Sequence, residues 1–83
     1  MRDMKEQKYL VFRAKAPRKR KMERFEVKFV GGDPVVEAKA FIEKYKLREV
    51  LSVRIIPYLV DDSVEGLTMR TLLPSGIAEE VFI

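Results

Sequence analysis

Polar and apolar residues alternate over two stretches near the start of the chain. From Lys8 to Ala16, Leu10, Phe12 and Ala14 fall on one side and Tyr9, Val11, Arg13 and Lys15 on the other; from Glu23 to Val30, Phe25, Val27 and Phe29 oppose Arg24, Glu26 and Lys28. A period of two is the pattern of a half-buried strand. Pro17 lacks a ladder donor and closes the first run, so the two strands form a hairpin whose tip runs from Arg18 to Lys21 or Met22. The tip has no glycine or asparagine to make a tight two-residue turn, and a mobile loop is expected. Residues 1–7 show no periodicity and are expected to be flexible.

The period then changes. Gly31-Gly32-Asp33-Pro34 combines residues that tolerate positive φ, an N-cap acceptor and a proline suited to the first helical position. A helix is predicted from Pro34 to between Lys46 and Arg48, with Val35, Ala38, Phe41, Ile42 and Tyr45 on its apolar face. Glu37 near its start and Lys44 and Lys46 near its end agree with the helix dipole. The β-branched run from Val50 to Ile56 predicts a strand with Leu51, Val53 and Ile55 on one face. Pro57 ends it or marks an edge, and Tyr58-Leu59-Val60 continues past a bulge. Asp61 to Gly66 reads as a turn, Leu67 to Leu73 as a strand, Pro74-Ser75-Gly76 as a second turn, and Ile77 to Ile83 as a strand or a short helical turn.

These elements predict one small α+β domain over residues 1–83. An antiparallel sheet of four or five strands, in chain order ββαβββ, carries one helix packed on one face. The expected core is Leu10, Phe12, Phe25, Val27, Phe29, Val35, Ala38, Phe41, Ile42, Tyr45, Leu51, Val53, Ile55, Met69 and Leu72 or Leu73. A chain of 83 residues has room for one such core.

Composition removes several chemistries. Without histidine or cysteine, the usual general base, thiolate nucleophile and transition-metal ligands are absent, and Ser52, Ser63 and Ser75 have no imidazole to activate them. A non-enzymatic role without a cofactor is expected. Asp61, Asp62 and Glu65 lie close in sequence, but they lack the regular oxygen spacing of a calcium loop and read as a polar turn, so no metal site is assigned. Gly31-Gly32-Asp33 would repel an anion through its own carboxylate and lacks a phosphate-loop lysine. No apolar run is long enough to span a bilayer or to form a secretory leader, and an intracellular, cytoplasmic protein is expected. The absence of asparagine, a single glutamine and a charged fraction of 36% match proteins that work at high temperature, although a short chain also reaches such values by sampling.

Charge is what points to a function. Residues 1–24 carry ten Lys or Arg against three Asp or Glu, while residues 25–83 carry seven against ten. Arg18-Lys19-Arg20-Lys21 puts four cations in a row, which must face solvent or a polyanion. A solvated loop and a phosphate-binding loop both explain that run; Arg13, Lys15 and Arg24 extend it along both strands and favour the second. The candidate nucleic-acid contacts are therefore Arg13, Lys15, Arg18, Lys19, Arg20, Lys21 and Arg24. Tyr9 is a candidate stacking residue, or else part of a second, smaller packing surface. RNA is expected ahead of DNA. The alternative is a protein-interaction or assembly module, viral or a subunit of a larger particle, that pairs with a protein partner or a second copy, as a homodimer, through a sheet edge and the apolar end Val81-Phe82-Ile83.

Overall fold

The computed structural model describes residues 4–61 and 73–83. They form β1 (Met4–Lys15), β2 (Met22–Phe29), α1 (Pro34–Lys44), β3 (Arg48–Asp61), β4 (Leu73–Pro74) and β5 (Glu79–Glu80). The sheet is antiparallel in the order β2-β1-β3-β4, and β5 pairs with β3 at Arg54 and Ile55. This is a small α+β fold, with the helix lying against one face. Met69 and Leu72 of the expected core, most of the strand expected over 67–73, and Asp62 and Glu65 lie outside the described residues.

The central strand is β1, hydrogen-bonded to β2 on one side and β3 on the other. Leu10, Phe12 and Ala14 are buried beneath the helix, where Phe12 stacks on Phe25 at 5.6 Å between ring centroids and meets Phe41 of α1 edge-on at 5.7 Å. Ala38, Leu47, Val53 and Ile55 complete this core. Fully burying a side chain such as Phe12 contributes about 1.5–3 kcal/mol, so this cluster is what holds helix and sheet together. The opposite face is not bare. Val11, Ile56 and Tyr58 form a second buried cluster, joined by Tyr9 and Ala78.

Both helix ends are locally specified. Asp33 Oδ1 accepts from the Val35 amide at 2.9 Å, and Gly31 and Gly32, at φ +131° and +90°, supply the reversal out of β2. At the other end Lys46 takes φ +56°; its amide donates to Glu43 O and that of Leu47 donates to Ile42 O, which together make a Schellman cap. The helix thus closes at Lys44, slightly earlier than the apolar spacing predicts.

Four expectations are corrected by β1, β3 and the helix. β1 begins at Met4, because Lys5, Glu6 and Gln7 pair with Val60, Leu59 and Tyr58 of the long β3, and backbone pairing needs no side-chain periodicity. Leu51 is 57% exposed: the pairings Val11 to Arg54, Arg13 to Leu51 and Lys15 to Arg48 insert an extra β3 residue twice, and the inward positions become Val50, Val53 and Ile55. Tyr45 is 47% exposed as the helix cap, its ring against Phe41 at 4.6 Å, and Val35 is half-buried outside the core cluster. Finally, β3 runs through Pro57 without a break. Pro57 O accepts from the Ser75 amide, so the edge of Pro57 that lacks N–H faces β4 and costs no bond to β1.

Candidate nucleic-acid interface

The β1–β2 hairpin closes with Lys15 opposite Met22. Beyond that pair the Lys19 amide donates to Ala16 O at 3.1 Å, with Pro17 second in the turn and Arg18 third at φ +65°. Those are the positions of proline and of the positive-φ residue in a type II turn. Arg48 Nη2, from the start of β3, donates to Lys19 O at 2.9 Å and ties the tip to the sheet. The expected loop thus opens with a hydrogen-bonded turn, Ala16 to Lys19, held from two sides. Arginine in the left-handed region costs roughly 1–2 kcal/mol relative to glycine, so the turn is held against local strain.

Arg18, Lys19, Arg20 and Lys21 are all exposed. Behind them Arg13 and Arg24 are direct cross-strand partners on the face opposite the helix, and Lys15 lies one row closer to the tip. The structure therefore gathers all seven predicted cations at one end of the hairpin and along one face. It also pairs three of them. Lys15 Nζ lies 2.6 Å from Glu49 Oε2, Lys19 Nζ lies 3.8 Å from Glu23 Oε1, and Arg24 Nη1 lies 3.5 Å from Glu26 Oε1. The Lys15 ammonium, by its hydrogen bond and then by its charge, holds the Glu49 carboxyl below the usual glutamate range; slight desolvation opposes this and Arg48 adds to it. Among the described residues Arg13, Arg18, Arg20 and Lys21 have no ion-pair or side-chain hydrogen-bond partner.

Tyr9 is not brought to the tip. It pairs with Lys28 and Ile56, six residues or on the order of 20 Å along β1 from Lys15, and its ring meets Tyr58 edge-on at 5.6 Å between centroids. Tyr58 Oη in turn accepts from Arg24 Nη2 at 2.8 Å. Tyr9 thus belongs to the second packing surface.

Two cations on β3 were not legible as part of the site. Arg54, opposite Val11, lies on the Arg13 side of β1, as the inward-facing Val53 and Ile55 require, and Arg48 pairs opposite Lys15 and reaches the tip; what the residue pattern does not give is that β3 is the neighbour of β1. Among the described residues no group of three or more carboxylates is arranged to hold a metal ion, and no helix is long and apolar enough to cross a membrane. No family model matches the chain, and no curated protein and no solved structure matches it either.

Proposed function

We propose that this protein binds nucleic acid, RNA ahead of DNA and without catalysis, through phosphate contacts made by the β1–β2 tip and the basic flank behind it. The observation that carries the reading is the state of the tip: Arg18, Arg20 and Lys21 are exposed and unpaired among the described residues, within or just after a hydrogen-bonded turn that Arg48 ties to the sheet. A pre-ordered cationic loop loses less conformational freedom on meeting a phosphate chain than a mobile one. Strain at Arg18 supports the same reading, because unfavourable backbone conformations persist where a side chain must be presented. Arg13 extends the contact, while Lys15, Lys19 and Arg24 take part after exchanging a carboxylate for a phosphate. RNA stands ahead because phosphate contacts carry no sequence, which leaves discrimination to shape and to splayed bases that single-stranded RNA offers.

Titration of labelled single- and double-stranded RNA and DNA tests this. Binding to several of them at low salt is expected, weakened roughly tenfold or more when Arg18, Arg20 and Lys21 are replaced by alanine. Absence of binding at low salt, or an alanine variant that binds equally well, contradicts it.

One observation favours the assembly reading: Phe82 and Ile83 are 82% and 49% exposed just beyond Val81, whose amide closes on Val53 O. A dimer by light scattering that is lost on removing residues 82–83 supports that alternative, and a monomer at high concentration contradicts it.

A further inference from the structure

Beside the bulge of β3 at Ser52 lies an open groove of about 570 Å³, walled by Arg13, Ser52, Arg54, Glu80 and Phe82. That volume falls within the range of small-molecule sites. Neither guanidinium has an ion-pair or hydrogen-bond partner among the described residues, even though Glu80 is the cross-strand neighbour of Arg54. Arg54 Nε is moreover shielded from solvent with its hydrogen bond unmade, which leaves a desolvated donor on a charged group. Ser52, at φ +57°, is the strained residue of the bulge and stands on the same wall. At the rim Phe82 exposes most of a large apolar ring that finds no place in either core cluster.

The geometry points to a binding site for one unit of single-stranded nucleic acid, its phosphate held between Arg13 and Arg54 and its base stacked on Phe82. This rests on the nucleic-acid reading above and adds to it a second contact, which shares Arg13 with the basic flank but lies apart from the tip. A planar guanidinium pair matches phosphate oxygens, and an exposed aromatic ring supplies the sequence-tolerant stacking that such strands use. A base inside a duplex offers no free face for Phe82, so the groove selects single strands while the tip accepts both forms. Glu80 reduces the positive potential of the groove and limits its affinity.

The chain contains no tryptophan, so Phe82→Trp introduces a single indole at the rim, which can be excited apart from the three tyrosines. Titration of this variant with oligouridylate, with uridine 5′-monophosphate and with an RNA duplex, with anisotropy of the labelled strands followed in parallel, tests the site. The expected results are quenching of the indole by oligouridylate and, at higher concentration, by the mononucleotide, with no quenching by the duplex. Phe82→Ala should weaken single-strand binding roughly tenfold and leave duplex binding unchanged. Glu80→Gln, which removes a charge without touching either core, should strengthen it. Oligouridylate binding without quenching overturns the groove site and leaves the tip standing. Quenching that survives alanine replacement of Arg18, Arg20 and Lys21 with no loss of affinity upholds the groove and overturns the tip. No binding and no quenching by any probe overturns both.

Discussion

Arg18 is the residue at which structure and proposed function pull against each other. Its left-handed conformation suits glycine, and nothing among the described residues holds its side chain. Arg18→Gly should therefore stabilise the fold by about 0.5–1 kcal/mol in chemical denaturation while weakening nucleic-acid binding. If the substitution destabilises the protein, the turn is not strained as described. Glu49 tests the flank in another way. Its folded-state pKa is depressed, so its pairing with Lys15 contributes stability above the unfolded-state value, near about 4.3, and loses it as the pH falls through the lower folded value. The wild type should thus be more stable than Glu49→Gln at neutral pH, and the difference should close as the pH drops below the ordinary glutamate range. A difference that stays constant with pH would show that the ion pair is not its source. Because this pair is exposed, the effect should also shrink in high salt.

At the scale of elements, the start of the helix was readable and its end was not, for one reason. Asp33-Pro34 announces an N-terminus by residue type, whereas the residue that ends the helix in the left-handed region is Lys46, with no glycine to mark it. The same holds for Arg18 in the hairpin turn and for Glu49 and Ser52 at the bulges: none of the four described positive-φ positions outside glycine carries an asparagine, aspartate or histidine, the residues that favour that region. Alternation fixed the faces of β1 and β2 from residue types alone. In β3 it failed at Leu51, because each unmarked bulge shifts the side-chain phase by one. Two substitutions check this account. Lys46→Gly should stabilise the protein by about 0.5–1 kcal/mol, since the cap bonds are kept and the steric cost is removed. Leu51→Glu should change stability by less than about 0.5 kcal/mol, while Val53→Ala costs about 2 kcal/mol. A Leu51→Glu cost as large as that of Val53→Ala would mean that β3 is in the register the alternation predicts, with both residues inward.

The described molecule is elongated, 44 × 24 × 19 Å, with the hairpin turn and the start of β3 tied together by the Arg48 hydrogen bond to Lys19 O and the Lys15–Glu49 ion pair. Seven of the ten cations of residues 1–24 thus gather at and behind the tip, and the run of four was legible without a structure because such a run has nowhere to go but the surface. What the sequence could not display is which cations are already neutralised. Lys15, Lys19 and Arg24 look equivalent to Arg13, Arg20 and Lys21 in the chain, yet their carboxylate partners come from Glu49, Glu23 and Glu26. The proposal divides the site along that line, with unpaired cations supplying the counterion-releasing contacts. The salt dependence of single-stranded RNA binding reads that number directly. The logarithm of the binding constant should fall linearly with the logarithm of salt concentration, and replacing Arg18, Arg20 and Lys21 by alanine should make the slope shallower by about 2. An unchanged slope in that variant would contradict the claim that the hairpin tip is where this protein meets nucleic acid.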